Sequence, residues 1–296
     1  MSMGGLYGSS KYDALKLLPT ENVPKTLLLH PGTSIEKVME QMESTDLDFP
    51  LVIKPDQGER GKGIQLLENK EQLSVAITTH PTPFLIQEYI DFPFEAGVFY
   101  IRIPDQKEAI VTSIVVKGFL SVVGDGQSTL EQLALQNIRA VLIWPQLKDA
   151  LRDDPERIPD RGELVLLEAI GNHSRGTAFN DGNHLKCQGI VDEAKRLAEH
   201  LPGFYYGRFD LRAPSEQSFI TGEDWKIMEV NGVNAEPAHI YQHGASLLKG
   251  SKSLYWHWST ACLISRKNKK NHPPVKFKEA LRVYRQWRMV KPTKWV

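Results

Sequence analysis

Apolar and polar residues follow two different periods along this chain, and the switches between them outline mixed α and β structure. Pro50–Pro55 and Phe84–Tyr89 are short apolar runs bounded by turn residues, the signature of strands. Similar runs predict strands over Lys25–His30, Ile64–Leu67, Glu163–Glu168, Tyr206–Arg212 and Trp225–Val230. Phe94–Ile103 and Ala109–Lys117 predict a hairpin turned across Pro104–Lys107. Helices are expected over Tyr12–Leu18, Lys70–Thr79, Gly189–Leu201, Gly244–Ile264 and Val275–Met289. Thr33-x-x-Glu36 and Thr129-x-x-Gln132 have capping-box spacing and are expected to open two more, the first running to about Glu43. A polar, proline-broken stretch up to Gly162 and the segment Gly171–His184 read as loop. Strands and helices in this order imply sheets covered by helices, an α/β or α+β protein.

Composition leaves that picture globular: 41% of the 296 residues are hydrophobic and 24% charged. The formal net charge of zero hides an asymmetry. From Ser265 to Val296 there are eleven Lys or Arg against one acid, Glu279, while the rest of the chain holds 25 basic and 35 acidic residues. Two cysteines, Cys187 and Cys262, without CxxC or Cys/His spacing, exclude a disulfide framework or structural zinc and fit a reducing compartment. With no signal-peptide pattern and no apolar run long enough to span a bilayer, a soluble, cytoplasmic protein is expected. Residues 1–10, rich in Gly and Ser, are expected to be disordered.

Three constellations carry chemistry. Leu51-Val-Ile-Lys54-Pro delivers a lysine at a strand end, followed by the glycine-bearing loop Gly58-Glu-Arg-Gly61-Lys62-Gly63. Backbone N–H groups in such a loop can approach phosphate oxygens unobstructed by Cβ, and the lysine adds a point charge. The segment is neither a P-loop nor a dinucleotide fingerprint, because no GxxxxGK[ST] occurs and a strand, not a helix, follows. No HRD or DFG element marks a protein kinase. Leu85-Ile-Gln87-Glu88-Tyr89-Ile90, a strand running into a polar turn with Glu95 beyond, offers a backbone edge for a base and a carboxylate for ribose; an ordinary edge strand is the alternative. In the third, Tyr206-Gly-Arg208-Phe-Asp210 and Lys226-Ile-Met-Glu229-Val-Asn231, alternation puts Arg208 with Asp210, and Glu229 with Asn231, on shared faces. Hard oxygens of this kind suit Mg²⁺, and an adjacent arginine suits a transferring phosphoryl group. Solvent-facing acids are the bland alternative.

In order and spacing, Lys54 with its loop, Gln87-Glu88-Tyr89-Ile90, Glu95, Arg208-x-Asp210 and Glu229-x-Asn231 resemble the ATP-grasp superfamily from about Lys11 to His243. Within it the chain looks like the amide-forming ligases, such as D-alanine–D-alanine ligase. Val122–Leu133 and Gly171–Asp181 resemble segments of the ATP-grasp domain of cyanophycin synthetase. The resemblance implies an α+β ATP-grasp fold, two subdomains with nucleotide between their sheets. Lys54, Gly61, Lys62, Gly63 and Lys16 would meet the phosphates, Gln87, Glu88, Tyr89 and Ile90 the adenine, and Glu95 the ribose. Asp210, Glu229 and Asn231 would hold one or two Mg²⁺, with Mn²⁺ as a substitute. Arg208, Arg102 and Lys117 would stabilise the transition state. Ser174, Arg175, Asn234, Glu236 and His239 stand in loops that would face the substrates; a solvated arginine and a helix-capping glutamate are their bland readings.

The expected organisation is an ATP-grasp domain over 11–264 (first subdomain about 11–90, second 91–264 with an insert about 119–162) and a basic tail over 265–296. Ligases of this kind carry a further α/β domain before the segment starting near Lys11. The implied activity is ATP- and magnesium-dependent joining of a carboxylate and an amine, amino acids or short peptides, through an acyl phosphate. A small-molecule kinase and a catalytically silent nucleotide-binding module are the alternatives. No nucleic-acid partner is expected. The tail, where Phe277, Leu281 and Tyr284 form one stripe and Lys278, Arg282 and Arg285 another, packs on the body or, with Trp287 and Trp295, contacts a membrane surface.

Overall fold

A computed structural model describes residues 2–58, 61–151, 155–269 and 273–290. Glu59 and Arg60 of the glycine loop, and Lys270, Lys291, Lys294 and Trp295 of the tail, lie outside the described residues. The strands are β1 (Thr26–Leu29), β2 (Leu51–Pro55), β3 (Gln65–Leu67), β4 (Phe84–Glu88), β5 (Phe94–Arg102), β6 (Ala109–Gly118), β7 (Leu120–Val123), β8 (Leu164–Glu168), β9 (Ala178–Asp181), β10 (Tyr206–Ala213) and β11 (Lys226–Asn231). The α-helices are α1 (Lys11–Leu15), α2 (Ile35–Ser44), α3 (Lys70–Thr79), α4 (Leu130–Gln136), α5 (Ile138–Leu142), α6 (Trp144–Ala150), α7 (Gln188–Glu199), α8 (Glu216–Thr221), α9 (Leu247–Asn268) and α10 (Phe277–Val290).

The chain divides into two compact units, 1–116 with 181–296, and 117–180. The first holds two sheets. One runs β1-β4-β2-β3, and its three pairings are antiparallel. Helices α2 and α3 cover it, with Val38, Met42, Leu73, Ile53 and Phe84 sharing one apolar core. The other runs β11-β10-β5-β6 within this unit. Its core, including Val98, Tyr100, Phe209, Leu211, Trp225 and Ile227, packs with Ile190, Ala194 and Leu197 of α7. In the second unit β7 pairs with β8, and Leu120 and Val122 pack with Leu130, Leu133, Ala140 and Leu147 from the three short helices. The insert expected at about 119–162 falls inside this unit.

Local chemistry explains the boundaries and several differences from expectation. Thr129 and Gln132 form a reciprocal capping box at α4. At α2 the cap is Ser34, whose hydroxyl accepts from the Lys37 N–H, whereas Thr33 donates its hydroxyl to the His30 carbonyl. The polar stretch before Gly162 contains α5 and α6, and the loop after Gly171 contains β9. Helix α8 is an addition to the elements read from sequence. Ser2–Gly5, in the segment expected to be disordered, forms a 3-10 turn whose Gly4 carbonyl accepts from the Val233 N–H at 2.8 Å. Among the described residues, no helix is long and apolar enough to cross a membrane.

Candidate active site

The pleat of the second sheet divides its residues sharply. Val98 and Tyr100 of β5, with Phe209 and Leu211 of β10, point into the core shared with α7. On the other side Phe99, Ile101 and Tyr206 pack in an apolar cluster, and beyond them lies a polar face: the register sets Glu95 opposite Arg212, Gly97 opposite Asp210, Asp210 opposite Glu229 and Arg208 opposite Asn231. Asp210 is the centre of this face. Its carboxylate accepts from Arg208 through Nε at 2.9 Å and Nη2 at 3.1 Å, and from Asn231 Nδ2 at 2.9 Å. A Cβ on Gly97 would stand 2.9 Å from Asp210 Oδ1 and 3.0 Å from Arg208 Cδ, so only glycine leaves room for the pair. Arg208 also donates to the Glu236 carbonyl at 3.1 Å. Burial disfavours the Arg208 charge, but Asp210, aided by Glu229 and Glu236, more than reverses this and raises the pKa.

Two lysines, Lys54 of β2 and Lys11 of α1, reach β11 beside Glu229. Lys54, at the end of β2, is buried; its Nζ donates to the Met228 carbonyl at 3.0 Å and to Gln87 Oε1 at 2.8 Å. Gln87 is held in turn by Thr26, whose Oγ1 accepts from Gln87 Nε2 at 2.7 Å. Burial lowers the Lys54 pKa from 10.5 to about 8, with Lys11 adding to the fall and Glu229 opposing it. Lys11 Nζ lies 3.6 Å from Glu229 Oε1 and donates to the Gly58 carbonyl at 2.8 Å. The Asp56 carboxylate fixes the start of α1 by accepting from Ser10 Oγ and the Tyr12 N–H, which aims Lys11 inward. Lys54 thus reaches β11 beside Glu229, while Asp210, Glu229 and Asn231 stand side by side across β10 and β11.

Other expected residues are arranged differently. Lys16 is exposed and paired with Asp13 at 2.5 Å, and it is Lys11 of α1 whose Nζ approaches Glu229. Glu95, expected to meet ribose, is buried against Arg212, Nε to Oε2 2.8 Å. Arg212 also donates to the Ile90 carbonyl at 2.6 Å and stacks over the Tyr89 ring at 5.4 Å. Glu88 is bound back to the neighbouring strand, accepting from the Lys25 N–H at 3.1 Å. Arg102 lies five residues from Gly97 along β5, ~16 Å away by strand rise, on the opposite face, and stacks on Tyr205 at 4.9 Å. Gly61 and Gly63 take positive φ, of 67° and 71°, and Lys62 between them is exposed.

In the substrate-facing candidates, Glu236 accepts from the Tyr241 hydroxyl, Asn234 is exposed, and His239 Nδ1 is 2.7 Å from Ser113 Oγ. Burial lowers the His239 pKa. Lys117, Ser174 and Arg175 belong to the 117–180 unit. There Ser174 donates to Asn172 Oδ1 at 2.8 Å, and Arg175 Nε pairs with Glu168 at 3.1 Å. Sequence reading missed Lys11, Asp56 and Arg212. Arg212 was within reach, because it continues the every-second-residue series of Arg208 and Asp210. Nothing local marks Lys11 and Asp56, whose partners are 44 or more residues away.

Among the described residues no group of three or more His, Cys, Asp or Glu could hold a metal ion. Asp210, Glu229 and Asn231 carry oxygens of the hard type that Mg²⁺ takes, and here both Asp210 oxygens accept from Arg208 while Asn231 turns its Nδ2 to Asp210.

Residues 8–128 match the family model of the RimK-like ATP-grasp domain. The class defined over that segment, which holds Lys11, Lys54 and Gln87, is ATP-grasp, and the observed architecture is α+β. No curated protein matches the chain. Among solved structures, it is similar to a bifunctional glutathione synthetase from Pasteurella multocida, at 18% identity and TM-score 0.44, over 90% of this chain and 38% of that one. It is also similar to the VanG D-Ala:D-Ser ligase of Enterococcus faecalis, at 18% identity and TM-score 0.48, over 86% and 60%. The D-alanine–D-alanine ligase of Bacillus anthracis gives 16% identity and TM-score 0.44, over 94% and 68%. The chain thus spans well under two thirds of the length of the first and three fifths of the second.

Proposed function

We propose that this chain is an ATP-dependent carboxylate–amine ligase that activates the carboxylate as an acyl phosphate and releases ADP and phosphate. One observation carries the reading: Lys54 reaches the backbone of β11 beside Glu229, so cations and acids converge on one polar face. The ATP-grasp match over 8–128 supports the nucleotide half of the reading. The acids on β10 and β11 lie beyond that match; their role rests on the resemblance carried by Arg208-x-Asp210 and Glu229-x-Asn231 and on the register that sets Asp210 opposite Glu229.

In this reading Lys54 and Lys11 bind the nucleotide phosphates, with the Gly61–Gly63 loop covering them. A divalent cation held by Asp210, Glu229 and Asn231 would draw phosphate charge and align the γ-phosphoryl group for transfer. Arg208, fixed by Asp210, keeps its guanidinium oriented and charged toward the transferring group. Positioning and charge neutralisation do the catalytic work, and no side chain is required as a general base. Amino acids or short peptides are the donor and acceptor classes.

The test is ADP and phosphate release from Mg-ATP with a panel of amino acids and peptides, and mass spectrometry for the amide. Phosphate release that depends on an amine identifies the ligase; a stable phosphorylated product without amine identifies a kinase instead. Glu229→Gln, at a side chain one-third exposed, is expected to fold normally and lose turnover at least ~100-fold. Full activity in that variant removes the acids from the site.

A further inference from the structure

Helix α9 turns its bulkiest apolar residues away from the protein. Its buried residues are His257 and Ile264, seven apart and therefore on one face. Tyr255, two residues before His257, lies about 200° round the helix from it, in line with Leu248. Trp258 and Leu263 flank that line, and Leu247 leads into it. Leu247 is 90% exposed, Tyr255 75% and Trp258 58%, on a helix 22 residues long. Scattered apolar residues are ordinary on a surface, but two tryptophans, a tyrosine and three leucines are exposed on this one helix.

The charge around the patch has one sign. No acid occurs between Glu236 and Glu279, while Lys249, Lys252, Arg266, Lys267 and Lys269 all lie in or at the end of α9 and are exposed. The chain before Ser265 is otherwise acidic, so an anionic plane would attract this face and repel the remainder.

We infer that the exposed face of α9 is a docking surface for an anionic lipid bilayer. Tyr255 and Leu248 would point at the bilayer, Trp256, Trp258, Leu247 and Leu263 would flank them at the headgroup level, and Lys252 and Arg266 would reach lipid phosphates. Single-stranded nucleic acid would also meet the cations and stack on the aromatic rings. It gains nothing from Leu247, Leu248 and Leu263, whose exposure a bilayer relieves. The surface is therefore on α9 and does not require the tail beyond it. The inference is independent of the ligase reading, and none of its residues belongs to the polar face of β10 and β11.

The experiment is cosedimentation of the full chain with vesicles of phosphatidylcholine containing roughly a third phosphatidylserine, against phosphatidylcholine alone. Binding to the anionic vesicles, a blue shift of tryptophan emission and weakening with added salt are expected. Tyr255→Ser combined with Trp258→Ser should lower the partition coefficient ~10-fold or more at an unchanged melting temperature. Lys252→Glu combined with Arg266→Glu should lower it similarly. Absence of binding at low salt, or equal binding by the two serine replacements, overturns the inference. Tighter retention on a single-stranded oligonucleotide assigns the face to nucleic acid. A dimer in sedimentation velocity that Tyr255→Ser dissociates assigns it to a second copy. Either result removes the bilayer.

Discussion

Arg212 and Glu95 face each other across β10 and β5 as a buried ion pair, Nε to Oε2 2.8 Å, with a second guanidinium nitrogen on the Ile90 carbonyl. One arginine thereby ties the polar face of the second sheet to the chain leaving β4. Burial opposes its charge, and Glu95 and Tyr89 more than compensate, so its pKa is raised.

Breaking that pair leaves an uncompensated charge inside the protein. Glu95→Gln or Arg212→Met is expected to cost about 3–5 kcal/mol, measured by urea unfolding. Glu95→Leu combined with Arg212→Met should recover most of the loss, because apolar packing replaces both desolvated ions. If Glu95 served only a ribose, its glutamine variant would unfold like the parent and change nucleotide affinity alone.

Gly97 is required by what lies beside it. An alanine Cβ there would meet Asp210 Oδ1 and Val115 Cγ1, each at 2.9 Å. Gly97→Ala is expected to destabilise by about 1–3 kcal/mol and to lower turnover, since Asp210 and Arg208 must shift together. Thermal melts and ADP-release rates on the same preparation check both. A variant as stable and active as the parent would show that the face tolerates the displacement.

The central strands were legible because they are short, strongly apolar and bounded by turn residues, as in β2, β4 and β10. The clustering of Asp210, Glu229 and Asn231 followed from alternation once both strands were placed. Contacts between distant segments were not legible: Glu95 looks like an exposed ligand until Arg212 is set opposite it. Proline misled in the 117–180 unit, where Pro145 reads as a break but occupies the first turn of α6, a position that needs no N–H donor. The start of α2 was misread by one residue, since Thr33 and Ser34 both carry a hydroxyl.

That misreading has a measurable consequence. Ser34 accepts a backbone N–H of the first turn, while Thr33 bonds outside the helix. Ser34→Ala should cost about 0.5–2 kcal/mol. Thr33→Ala, outside the helix, should cost less. Equal losses in equilibrium unfolding would mean that the cap is shared.

Lys54 makes stability and nucleotide binding depend on pH in opposite directions. Burial lowers its pKa from 10.5 to about 8 in the folded chain. Between those values the unfolded chain binds the extra proton, so this lysine makes stability rise with pH across the window. Phosphate binding needs the charged form, so affinity should fall instead. The Kd of a fluorescent ATP analogue should rise toward about tenfold per pH unit above about pH 8, until other groups titrate. Lys54→Met should bind weakly throughout and lose that slope, because the titrating charge is gone while the buried stem is kept. A parent protein with constant affinity from neutral pH to about pH 9.5 would mean that Lys54 does not contact the phosphates. A Met variant that keeps the parent's slope would place the titrating group elsewhere and remove Lys54 from the phosphate site.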